Sequence, residues 1–183
     1  MTERREAPKT LPGWIWGGLI GCAIVMSWMG WNSRKANHKF QAIFGGNANL
    51  KCVENSGRLY ATRLGPIAGV NAPQRIEDFE AIAEPIEVSA DLSRRLQKVL
   101  TSPSSYYLGD EKHSCAPRYG FRLRFICNNV PLEAWICLEC GLVAFVSEGK
   151  AVGGGMLVHG EREMKELSRE LFPGDPGIEE AAK

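Results

Sequence analysis

Residues 11–31, LPGWIWGGLIGCAIVMSWMGW, carry no charged side chain in a chain of which 23% is charged. At about 1.5 Å of rise per residue, such a run makes a helix long enough to cross a hydrocarbon core of about 30 Å. No proline follows Pro12 within it, so a helical ladder can satisfy the backbone groups that lipid would leave unpaired. Trp14 and Trp16 stand near one end and Trp28 and Trp31 near the other, where indole rings favour the membrane interface. The run predicts one transmembrane helix. It divides the chain into a basic tail (1–10), the span (11–31), a juxtamembrane stalk (32–49), a domain (50–175) and a flexible tail (176–183).

Flanking charge orients this span only slightly, because Arg4, Arg5 and Lys9 on one side face Arg34, Lys35 and Lys39 on the other. Retaining a short basic tail is commoner than translocating it, so the domain is expected to be periplasmic or extracellular on a single-pass protein. A cleaved signal peptide is the rival reading of the same basic start and apolar stretch. Leu19-Ile20-Gly21-Cys22 also resembles the lipobox of bacterial lipoproteins, which would make Cys22 the acylated residue. The chain stays apolar beyond Cys22 as far as Trp31, however, where a mature lipoprotein begins with a polar tether. Gly13, Gly17 and Gly21 recur every fourth residue, a spacing that lets two membrane helices approach closely and allows self-association, the plain alternative being that glycine is common in membrane helices.

Lys and Arg number 22 against 21 Asp and Glu, a net charge of +1, so no field draws nucleic acid to this chain. The part beyond the span is long enough for one compact core. Residues 36–49 suggest a short helix ending at Gly45-Gly46, and residues 50–54 and 58–64 suggest two strands about an Asn55-Ser56-Gly57 turn. Residues 66–87, with Pro73 and Pro85, read as an extended surface connection. Ser89 is placed to cap a helix carrying Leu92, Leu96, Val99 and Leu100 on one face, ending before Pro103. Phe121, Leu123, Phe125 and Cys127 alternate with Arg122, Arg124 and Ile126, so the first set should face a core and the arginines solvent. Residues 132–138, 142–147 and 151–158 continue a meander, in which Gly153-Gly154-Gly155 predicts a bulge or a close backbone approach. Met164, Leu167, Leu171 and Phe172 mark one side of a last helix, stopped at Pro173-Gly174. The expected fold is α+β: an N-terminal transmembrane helix, then a small, mostly antiparallel sheet with flanking helices.

Five cysteines lie beyond the span, so they cannot all pair within one chain. Cys52 and Cys127 read as buried thiols without chemistry. Cys115, Cys137 and Cys140, with His113 close by, form the candidate site, and three accounts of it stand. Zinc would use Cys137-x-x-Cys140-Gly141 as a knuckle, with Cys115 and either His113 or Cys127 completing the ligands. A disulfide would join Cys115 to Cys137 or Cys140 in an oxidising compartment. A redox pair would cycle Cys137 and Cys140, although the strand-like Leu142-Val143-Ala144-Phe145-Val146 after them lacks the helix such motifs use to form a thiolate. Gly141 stands where a covalent haem motif needs histidine, the triple glycine lacks a phosphate loop's Lys and Ser/Thr, and Ser114 has no nucleophile-elbow setting. Glu133 and Glu139, on one face of a strand, read as ordinary exposed carboxylates.

From residue 105 onward, the order Ser-Tyr-Tyr, Cys115-x-Pro-Arg, Gly120-Phe-Arg-Leu-Arg-Phe, Ile-Cys137-x-x-Cys140 and Leu171-Phe-Pro resembles an uncharacterised group of bacterial anchored or exported proteins. The resemblance covers the C-terminal part of the chain. It implies that Cys115, Cys137 and Cys140 belong together, and it brings no activity with it. The function expected from the sequence is a membrane-anchored envelope protein whose cysteine-containing domain is a binding or assembly component. The alternative is a metal-dependent or thiol–disulfide redox enzyme using Cys137 and Cys140.

Overall fold

In a computed structural model of the chain, the described residues are 35–70, 73, 75–109, 115–127 and 130–183. The expected span, the glycine stripe and Cys22 lie outside them. Among the described residues no helix is long and apolar enough to cross a membrane. The chain separates into two units, Met1–His38 and Lys39–Lys183.

The frame of the second unit is a seven-stranded antiparallel sheet in the order β2-β1-β4-β5-β6-β7, with the short β3 also paired to β1. The strands are β1 (Leu59–Pro66), β2 (Phe79–Ala81), β3 (Ile86–Glu87), β4 (Phe121–Cys127), β5 (Val130–Cys137), β6 (Leu142–Ser147) and β7 (Lys150–Met156). The helices are α1 (residues 35–43), α2 (Asn47–Asn55), α3 (Ala90–Thr101), α4 (Glu161–Leu171) and α5 (Pro176–Ala181).

Alternation in β4 sends Phe121, Leu123 and Phe125 into complete burial on one face of the sheet, as the sequence pattern requires. Helices cover that face. Ser89 accepts from the Leu92 N–H and starts α3, whose Leu96, Val99 and Leu100 pack there beside Met164, Leu167 and Leu171 of α4. Phe44, just past α1, lies 4.5 Å from the ring of Phe145 in β6. The approach of that turn to β7 depends on glycine. A Cβ on Gly153 would collide with the carbonyl oxygens of Ile43 and Ala42, and one on Gly45 would come 2.5 Å from the Val152 oxygen. Register slips between Phe145 and Val146, at Val152 just before the glycine run, while Gly153, Gly154 and Gly155 keep register and Gly153 makes the close approach.

The other face of the sheet is also covered, by a smaller cluster of Leu64, Phe79, Tyr119, Trp135, Cys137 and Val146. Phe79 and Tyr119 meet edge to face at 5.4 Å, and Tyr119 and Trp135 at 5.8 Å. Segment 66–87 is therefore more than a surface connection: Phe79 anchors it, with a 3-10 turn at Ile76–Asp78 leading into β2. Burial on both faces explains why β5 is enclosed from Leu132 to Cys137 instead of alternating.

Three further expectations give way to tertiary contacts. Residues 50–54 are not a strand. They lie in α2, because Leu50 and Val53, three apart, both turn into the helical layer. The compact unit also begins before residue 50, since Phe40, Ile43 and Phe44 are core residues. Residues 176–183 are not a free tail: Asp175 accepts from the Ile178 N–H and Pro176 opens α5, which buries Ile178 and Ala182. Arg63 fixes this terminus with two bonds to Asp175, Nε–Oδ2 at 2.9 Å and Nη2–Oδ1 at 3.2 Å.

Those bonds hold the Asp175 carboxyl below its ordinary value of 3.8 against the opposing effect of burial. A depressed folded value contributes stability above the unfolded value and loses it as pH falls through the folded one. Acidification from about pH 6 to about pH 2 should therefore destabilise the protein at this site, and Asp175→Asn should remove that part of the pH dependence. Urea unfolding of both forms across the interval measures it.

Candidate functional site

Cys137 ends β5, and the next four residues turn the chain back into β6. Gly141 makes the turn possible. Its φ is +64°, its carbonyl accepts from the Leu157 N–H at 2.7 Å, and an added Cβ would stand 2.5 Å from the Leu157 oxygen. Gly141→Ala should cost about 1–3 kcal/mol through backbone strain and displacement of residue 157, read as a lower thermal midpoint. A neutral result would contradict the turn.

The turn carries Cys140 to Cys115, and the two form a disulfide with Cα atoms 6.6 Å apart across 25 residues of sequence. Cys137 remains a thiol, wholly buried, with its Sγ 3.3 Å from the Sγ of Cys140. The backbone N–H of Arg118 points at that sulfur from 3.3 Å. Tyr119, in the same cluster, has its hydroxyl pushed above the usual tyrosine range by burial, with Cys137 adding to the effect. The Arg118 guanidinium stands 3.8 Å from Glu139, an exposed pair that contributes little to stability.

A groove of about 460 Å³ opens beside this cluster. Leu64 and Phe79 give it apolar walls, Tyr119 borders it, and Arg63, Arg118 and Glu139 supply charge. Sequence reasoning missed Arg63 and Tyr119 here, since neither belongs to a local motif. Asp175-Pro176 was the one available signal for the neighbouring helix, being an N-cap followed by proline at its first position.

The three candidate cysteines do come together, with Cys140 as the disulfide partner of Cys115. His113 lies outside the described residues. Among the described residues no group of three or more His, Cys, Asp or Glu side chains is arranged to hold a metal ion. Cys52 and Cys127, expected as inert thiols, are a second disulfide with Cα atoms 5.5 Å apart, joining α2 to the end of β4 across 75 residues. Their placement on two different elements left no signal in the sequence.

Glu133 is likewise not an exposed carboxylate. It is 9% accessible and accepts from Arg124 at 2.6 and 2.8 Å, Arg122 at 3.4 Å and the Trp135 indole at 2.9 Å. Cross-strand register sets Arg124 opposite Glu133 and Arg122 opposite Trp135, with the Arg122 guanidinium 5.9 Å from the indole centroid. The arginines of β4 are thus engaged by protein groups on the sheet's second face.

Fold and site together define a disulfide-stapled α+β domain with a buried thiol at one staple. Comparison with protein-family models, curated proteins and solved structures gives no match.

Proposed function

We propose that this chain is a single-pass, membrane-anchored envelope protein whose domain lies on the oxidising side and serves as a binding or assembly component. The observation that carries the reading is the pair of disulfides, Cys52–Cys127 and Cys115–Cys140, in one small domain. Such bonds persist outside the cytoplasm and are rare within it. The uncharged run 11–31 supplies the anchor, and Gly13, Gly17 and Gly21 favour a second copy of the chain as a neighbour in the membrane. The groove lined by Leu64, Phe79, Arg118, Tyr119 and Glu139 supports the binding role, with apolar walls and a charged rim.

The test is made in intact cells carrying the full chain. Free thiols are blocked before lysis, the chain is then reduced, and the newly exposed cysteines are counted by mass. Cys52, Cys127, Cys140 and one of the pair Cys115 and Cys137 are expected to become reactive only after reduction. Their complete blocking beforehand would place the domain in a reducing compartment and overturn the proposal. A photocrosslinker at Glu139 should capture a protein that one at Lys150, on the far hairpin, does not. Equal or absent capture at both would reject the binding role.

A further inference from the structure

The stapled cluster holds one sulfur more than its disulfide needs. Cys137 is separated from Cys140 by two residues and a turn, and its Sγ lies 3.3 Å from a sulfur already bonded to Cys115. That is a contact distance between sulfurs, which places the two atoms next to each other for exchange. The Arg118 backbone N–H is directed at the Cys137 sulfur from 3.3 Å and fixes its position beside Cys140. We infer that Cys115, Cys137 and Cys140 form a thiol–disulfide exchange site, in which buried Cys137 displaces Cys115 from Cys140 and makes Cys115 the reactive thiol.

The Cys137 thiol first loses its proton. The thiolate then attacks the Cys140 sulfur. A Cys137–Cys140 bond forms, the Cys115–Cys140 bond breaks, and the electron pair leaves on the Cys115 sulfur, which takes up a proton. One thiol and one disulfide are present before and after, so the step consumes no oxidant or reductant.

Exchange changes which sulfur faces the surroundings. Cys137 is wholly buried, whereas Cys115 is half-buried on the stretch that leads through Ala116 and Arg118 along the groove. Released there, the Cys115 thiolate can attack a disulfide presented by another molecule. It forms a mixed disulfide with one sulfur of that molecule and expels the other as a thiolate. The ligand class is therefore a disulfide-bearing molecule, and oxidised glutathione is a sufficient probe. None of this depends on the compartment proposed above, because the reaction is followed on the purified chain.

The full chain, purified in detergent without reductant, is treated with N-ethylmaleimide under native conditions and digested without reduction. Mapping by mass should find label on Cys115 together with a Cys137–Cys140 link, and oxidised glutathione should add to Cys115. Cys137→Ser and Cys137→Ala should each lower Cys115 labelling at least tenfold while Cys115–Cys140 stays intact. If those variants fail to fold, Cys115→Ser treated with oxidised glutathione gives the independent reading: the Cys137 and Cys140 thiols should then be found joined, with two molecules of reduced glutathione released. The inference is overturned by label on Cys137, by an unlabelled chain, by undiminished Cys115 labelling in the Cys137 variants, or by two free thiols in Cys115→Ser so treated. A zinc increment on three reduced cysteines would also overturn it, since ligation would replace exchange.

Discussion

Replacing Cys52 and Cys127 together with serine is expected to lower the unfolding free energy by about 4.5 kcal/mol, the chain-entropy value for a loop of this length. The corresponding double replacement at Cys115 and Cys140 should cost about 3.5 kcal/mol. The order follows from sequence separation, 75 residues against 25, because the longer loop takes more freedom from the unfolded chain. Either loss is a large part of the stability of an ordinary domain, typically about 5–15 kcal/mol. Urea unfolding of the full chain in detergent, followed by circular dichroism, checks both. If the Cys115/Cys140 pair proves the more costly, that bond stabilises through contacts in the native state as well as through loop closure.

Phe145→Ala should destabilise by about 3–5 kcal/mol, the range for deleting a fully enclosed aromatic ring. Phe145 is completely buried, and its ring faces Phe44, which in turn meets Phe40 at 5.3 Å and Tyr106 at 6.3 Å. The cavity would open where the turn after α1 lies against the sheet, so that turn should lose amide protection before α3 or α4 does. Ile126→Ala in β4, on the far side of β5, provides the contrast. Ile126 is 41% exposed, and its replacement should stay within about 0.5 kcal/mol. A loss below about 1 kcal/mol for Phe145→Ala would mean that the aromatic cluster is not the packed centre of the helical layer.

The candidate site was legible in part. Cys137-x-x-Cys140-Gly141 marks a turn by local chemistry alone, because Gly141 is required at a positive φ after two cysteines at fixed spacing. Cys115 joined the set by its separation and by the resemblance. Which sulfur Cys115 would choose could not follow from either, since Cys137 and Cys140 lie only three residues apart. The fold decides it: Cys137, as the last residue of β5, turns into the small second core, while Cys140 sits in the turn within reach of Cys115.

By itself the sequence determined α3, β4, α4 and the meander of β5 to β7, as well as the uncharged length of residues 11–31. Each rests on a period or a cap written in adjacent residues: Ser89 before its helix, every second residue of β4, every third or fourth of α4. Only the tertiary structure decided the Cys52–Cys127 bond, the helical state of residues 50–54, the burial of Glu133 and the docking of α5. For the disulfide, the docking of α5 and the cover on the sheet's second face, the deciding partner is remote in the chain. Cys127 stands 75 residues from Cys52, Asp175 lies 112 from Arg63, and Phe79 reaches the second face of the sheet from another strand. Local periodicity says which side of an element is apolar. It does not say that a sheet is covered on both faces, and that second cover turned Glu133 inward with its arginines and left Cys137 as a buried thiol.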